Sequence, residues 1–147
     1  MKLMNKEIEA RLQPLYSTDG QGDQATVAVK YYIPDGNGGD YMHWVITEGE
    51  KQEDGDWLLF GLCEIYCREW GYVLLSELEG ISVDRPNGLV GINVQYVLYD
   101  NKTVAEVAGP DPWSHGYEIT EDILDIYFSE LYTGTITLTL DILDPPD

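Results

Sequence analysis

Trp57-Leu-Leu-Phe-Gly-Leu-Cys-Glu-Ile65 is the stretch on which the fold turns. It is apolar at both parities apart from Glu64, the pattern of a strand covered on both faces, so a central place in a sheet is expected. Working outward, Ala25 to Ile33 alternates Val27, Val29, Tyr31 and Ile33 against Thr26, Lys30 and Tyr32, a strand with one buried side. Pro34-Asp-Gly-Asn-Gly-Gly-Asp40 is a turn-rich connection, and Tyr41 to Thr47 is a second strand. Glu48 to Asp56 is expected as an acidic loop. Trp70 to Leu75 follows as a strand, with Ser76-Glu-Leu-Glu79 as a capping box for a short helix, Ser76 at the N-cap and Glu79 at N3.

Near the start, Asn5 caps a helix that runs to Gln13 and stops at Pro14, with Ile8, Leu12 and Leu15 toward the core. Ser17-Thr-Asp-Gly-Gln-Gly-Asp23 is a polar loop. Ile92 to Tyr99 reads as a strand and Thr103 to Val107 as a helical turn, and Gly109-Pro-Asp-Pro112 is a break. Beyond it, Thr120 caps a helix to about Tyr132, Gly134 stops it, and Thr135 to Ile142 alternates as a last strand. Hairpin-length connections and few helices predict an α+β fold. The sheet is expected to be mainly antiparallel and twisted, with about six strands and two or three short helices.

The chain has 147 residues, with 27 acids against 8 bases and a net charge of −19. That length favours one compact body, and 44% hydrophobic content supports a core. Direct nucleic-acid binding is disfavoured, because phosphate contacts need a Lys/Arg surface. No apolar run approaches the ~18 residues of a membrane helix. The segment MKLMNKEIEARL lacks the apolar region of a secretory signal, so a cytoplasmic location is expected. The charge is unevenly placed. Residues 1–102 hold 17 acids and all 8 bases, a balance of −9, whereas the 45 residues after Lys102 hold 10 acids and no base. In the late helix, Ile123, Leu124, Tyr127, Phe128 and Leu131 fall on one arc at about 200° to 340° of helical rotation, opposite Glu121, Asp122 and Asp125. The helix macrodipole favours acids in the first turn, which accounts for Glu121 and Asp122. No Lys follows at i+4 to offset the repulsion.

Catalytic patterns are weak. Cys63 and Cys67 are the sole cysteines, and His43 and His115 lack zinc-site spacing, so ordinary core cysteines are expected. The Asp35–Asp40 stretch has the start of a calcium loop without its later ligands. Phosphate-binding, dinucleotide-binding and nucleophile-elbow motifs are missing, so no enzyme, cofactor or metal is expected. Tyr31, Trp44, Trp57, Tyr72 and Tyr96 fit sheet packing, whereas Trp113 and Tyr117, in a loop, are candidates for anchoring a partner.

Met1-Lys-Leu-Met-Asn-Lys-Glu7, Leu15-Tyr-Ser-Thr-Asp-Gly-Gln-Gly22, Val29-Lys-Tyr-Tyr-Ile-Pro34, Leu59-Phe-Gly-Leu62, Trp70-Gly-Tyr-Val-Leu-Leu-Ser-Glu-Leu-Glu79 and Thr103-Val-Ala-Glu106 resemble the domain-of-unknown-function family 2958. The resemblance covers residues 1–107, has no catalytic motif, and implies a small protein of plasmids, conjugative elements or phages in a bacterial host. Residues 108–147 then form an acidic helix–strand extension packed on the same domain.

A body of this length is roughly 40 Å across. B-DNA of that length carries about 24 charges, the order of the net charge here. The expected function is therefore non-enzymatic: inhibition of a host defence nuclease, a CRISPR effector or restriction complex, by an acidic nucleic-acid mimic on its basic groove. Expected contacts are Asp111, Glu118, Glu121, Asp122 and Asp125, with Glu48, Glu50, Glu53, Asp54 and Asp56 as a second acidic site and Trp113 and Tyr117 as aromatic anchors. The alternative is a protein-binding regulatory module whose acidity only confers solubility.

Overall fold

The computed structural model describes residues 2–84 and 90–110. Helix α1 spans Lys6–Arg11, with Asn5 accepting from the Ile8 amide as its N-cap. A 3-10 turn follows at Gly22–Gln24. Four strands come next: β1 Val29–Pro34, β2 Asp40–Lys51, β3 Trp57–Glu64 and β4 Arg68–Leu74. Helix α2 is Leu75–Glu79, followed by β5 Ser82–Val83, β6 Ile92–Asn93, β7 Gln95–Val97 and helix α3 Val104–Ala108. One sheet runs in the order β4-β3-β2-β1-β7, antiparallel throughout, and β5 pairs with β6. This is an α+β fold. No helix among the described residues is long and apolar enough to cross a membrane.

The alternation in β1 holds, with Val29, Tyr31 and Ile33 buried and the residues between them less so. These side chains meet Met42, Trp44 and Ile46 of β2 in the larger core, which Leu3, Ile8, Leu75 and Leu78 close from the helical side. Strand β3 lies between β2 and β4 as its double-sided apolarity requires, while β2 holds the centre. A smaller cluster on the other sheet face joins Ala25, Val27, Val45, Leu62 and Val104. The helical turn expected from Thr103 is present as α3, and Thr103 caps it in a reciprocal box with Glu106.

Four expectations need correction. Strand β2 runs on to Lys51, so the acidic loop shrinks to a short turn and Glu48 is a strand residue, 1% exposed. The capping box at Ser76 and Glu79 does not form. Leu74 occupies the N-cap and Glu77 accepts from its amide, while Ser76 bonds to Asp56 and Glu79 accepts from the Leu3 amide. The strand expected over 92–99 divides between two sheets, β6 on β5 and β7 on β1. The first strand begins at Val29, because Val27 bonds across to the Lys102 carbonyl. The helix expected over 120–132 and the strand over 135–142 lie outside the described residues.

Glu48 owes its position to a register shift. Ile46 pairs with Gly61 but Glu48 pairs with Phe60, so a bulge at Thr47 turns Glu48 to the opposite face. There its carboxylate accepts from the Tyr16 amide at 2.8 Å, the Thr18 amide at 2.9 Å and the Thr18 hydroxyl. Among the described residues it has no cationic partner, so these donors alone offset its burial. They also hold Tyr16 at φ 71°, a left-handed conformation for a non-glycine residue. Gly49, next along, leaves room for Leu12. A Cβ there would lie 3.0 Å from the Leu12 and Leu59 methyl groups.

Glu48→Ala strands both amides and the hydroxyl and is expected to lower unfolding stability by about 3 kcal/mol in urea titrations. Glu48→Gln keeps one acceptor oxygen and loses less. A loss below about 1 kcal/mol for the alanine variant contradicts this account.

Candidate interaction surface

Paired residues on neighbouring strands project to the same side, so the register of β2, β3 and β4 defines rows across the second sheet face. His43, Glu64 and Arg68 form one row. Val45, Leu62 and Trp70 form the next, then Glu48, Phe60 and Tyr72. Where α3 and the Ala25–Val27 segment meet Val45 of β2 and Leu62 of β3, this face is buried. Over β4, at Trp70 and Tyr72, it is open among the described residues.

The first row is ionic. Lys30 Nζ lies 2.5 Å from Asp40, and Asp40 lies 3.4 Å from His43 Nδ1. His43 Nε2 approaches Glu64 Oε2 at 2.7 Å without the alignment of a hydrogen bond. It is a close charge contact when the imidazole is protonated. Arg68 Nε donates to Glu64 at 2.7 Å, and its two other nitrogens donate to the Gly109 and Ala108 carbonyls at 2.7 and 3.1 Å. That guanidinium caps the C-terminus of α3, where positive charge is favoured. Every side chain in the row is between 11% and 20% exposed, so the row is half-buried structure and presents little charge outward.

The next rows are aromatic. Phe60 stacks on Trp70 with centroids 5.9 Å apart and packs tilted on Tyr72 at 4.9 Å. Trp70 is 41% exposed and Tyr72 48% exposed, and Tyr16 lies against Tyr72. The expectation of sheet packing holds for Tyr31 and Trp44 and fails for Tyr72, whose strand is at the sheet edge. This patch was not singled out from sequence, although the parity of residues 70 and 72 in a strand puts both rings on one side.

The expected acidic site separates into three kinds of residue. Glu50, Glu53 and Asp54 are exposed on the β2–β3 hairpin and have no cationic partner among the described residues. Asp56 is half-buried. It accepts from the Trp57 amide, the Ser76 amide and the Ser76 hydroxyl, which ties the hairpin to α2. Those bonds, the Ser76 hydroxyl foremost, hold its carboxyl below the usual value. Glu48 is withdrawn altogether: it is buried and can touch no partner. Asp111, Trp113, Tyr117, Glu118, Glu121, Asp122 and Asp125 lie outside the described residues.

Chemistry at the cysteines is muted. Burial first, and the Glu69 charge second, push the Cys63 thiol up to about 11, so it stays protonated at neutral pH. Among the described residues no group of three or more His, Cys, Asp or Glu is placed to hold a metal ion. Asp35 accepts from the amides of Asn37 and Gly39, which turns its own loop.

Burial works to raise the Glu64 carboxyl, but the close His43 imidazole and the Arg68 bond and charge outweigh it and hold the group below its ordinary 4.5. A carboxylate depressed in the folded state contributes stability above its unfolded value, and that contribution is lost as pH falls through the lower folded value. Urea midpoints taken from neutral pH down through the carboxylate range are therefore expected to fall less steeply for Glu64→Gln than for the parent chain. Parallel curves would remove Glu64 from the acid response.

No curated protein and no solved structure matches the chain. The family described as protein of unknown function (DUF2958) matches residues 3–101, which take in α1, the whole five-stranded sheet and the ionic and aromatic rows apart from the α3 carbonyls. The chain belongs to that family.

Proposed function

We propose that this protein is a non-enzymatic inhibitor carried by a mobile element or phage, which places an acidic surface in the basic nucleic-acid groove of a host defence nuclease. The observation that carries this is the unequal use of the two signs of charge. Of the seven Lys and Arg among the described residues, Arg11, Lys30, Arg68 and Lys102 are engaged with acids of the same fold. Lys30 and Arg68 are largely buried in doing so. Glu50, Glu53, Asp54 and Glu69 face solvent with no such partner among the described residues. Outwardly directed charge is thus more one-sided than the composition suggests, and a one-sided field accelerates encounter with a basic groove.

The open aromatic patch favours a second reading, a regulatory module that binds a protein through Trp70 and Tyr72 while its acids only solubilise it. Salt separates the two. Mimicry predicts capture of a nucleic-acid-binding protein from host lysate at low salt and at least about a tenfold loss at moderate salt. It also predicts loss of the complex in a combined Glu50→Lys, Glu53→Lys, Asp54→Lys variant, and in Glu121→Lys, Asp122→Lys, Asp125→Lys. Capture that ignores salt and both variants, but fails in Trp70→Ala, selects the regulatory module. Retention of no nucleic-acid-binding protein ends the mimicry proposal.

A further inference from the structure

We propose that the aromatic patch on β4 and the β2–β3 hairpin acid Glu50 form one site, which takes an arginine side chain of a basic protein partner. It rests on the inhibitor reading only for the class of that partner. The strand register joins the two features. Beyond the bulge Glu48 and Glu50 project to the second face, and Glu50 pairs with Leu58, which pairs with Leu74. The row that begins at the exposed Glu50 therefore follows directly on the row of Glu48, Phe60 and Tyr72, about 7 Å further along the strands. Trp70 and Tyr72 are exposed rings on that face, and Tyr16 lies against Tyr72. Contiguous exposed apolar surface of this kind marks an interaction site.

Charge selects what this surface takes. Phe60 stacks on Trp70 and packs tilted on Tyr72, so three rings meet in one place. The face of an aromatic ring is negative, and carboxylates border these rings. Glu50 begins the next row, the charge of Asp19 reaches the Tyr72 hydroxyl, and the buried Glu48 shares the Tyr72 row. Arg68, the base on β4, is turned to Glu64 and to the α3 carbonyls, so it does not neutralise the patch. An apolar partner would leave Asp19 and Glu50 without counter-charge, and an acidic one would be repelled. A guanidinium meets both demands. It lies flat on a ring, keeps donors at its edge for a carboxylate, and is more weakly hydrated than the ammonium of lysine. Glu48 also contributes by placement, since its bonds to the Tyr16 and Thr18 amides hold Tyr16 at the border of the patch.

Titration of the full chain with tetra-arginine and with tetralysine tests the site, read in NMR spectra by the Trp70 indole N–H and the β4 amides. The indole resonance is assigned by its loss in Trp70→Leu, and the indole of the buried Trp44 reports that each variant is folded. Tetra-arginine is expected to shift these resonances and to bind at least about threefold more tightly than tetralysine. Trp70→Leu keeps apolar area but removes the ring, and is expected to abolish that preference. Glu50→Gln is expected to weaken tetra-arginine by about twofold. Equal affinity for the two peptides, a preference that survives Trp70→Leu, unchanged affinity in Glu50→Gln, or no shift in β4 each overturn the proposal. No nuclease takes part, so failed capture from lysate beside an arginine-selective site removes the inhibitor reading alone.

Discussion

A single extra residue at Thr47 governs the architecture. In a straight strand Glu48 would follow Ile46 onto the helical side of the sheet, a carboxylate driven into the larger core among Ile8 and Leu59. The bulge reverses parity from that point, so Glu48 turns to the second face and Gly49 takes the tight place against Leu12. Two further connections depend on the same kink. The Thr47 carbonyl accepts from Gln13 and the Gln13 carbonyl accepts from Gly49, which stitches the exit of α1 to β2. Glu48 then gathers Tyr16 and Thr18, so the loop after α1 is organised by a charge that burial would otherwise make prohibitively costly.

The two faces of the sheet are finished differently. The helical side is closed by α1, the N-terminal segment and α2 over a continuous apolar cluster. On the other side a narrow apolar cluster lies beneath α3, an ionic row runs along its border, and an open aromatic patch lies over β3 and β4. Charge in that row is tolerable because each member has an opposite neighbour at hydrogen-bond range and solvent reaches part of it. Arg68 serves both sheet and helix, so the end of α3 is held by the same side chain that neutralises Glu64.

Much of this was legible in the residues. Alternation in 29–33, the double-sided apolarity of 57–65, the Asn5 cap and the Thr103 box all report local physics, and local physics decided them. What escaped notice was decided at a distance. Glu48 looked like one acid among five in a polar run, because nothing in residues 48–56 reveals a bulge or the two amides, thirty residues earlier in the chain, that would bury it. Ser76 has the right spacing to Glu79 for a capping box, yet Asp56, twenty residues earlier, competes for its hydroxyl and wins. The ionic row joins residues from four strands and could not be assembled without the register. Residues 92–97 have continuous strand character, but the two halves serve different sheets.

The same register explains why acidity and surface acidity differ in this protein. Arg68 sits opposite Glu64 in the register, Lys30 reaches Asp40 near the start of β2, and Arg11 is drawn to the Tyr99 carbonyl and Asp100. The fold thus uses part of its small supply of cations as structural counter-charge, at positions where an uncompensated carboxylate would be costly. Acids on the hairpin tip carry no such obligation, because water solvates them at little cost. A chain with few bases that spends them on its interior leaves a surface whose field is set by carboxylates. Such a field is what the proposed reading uses, since a basic groove complements it better than an acidic or neutral surface would.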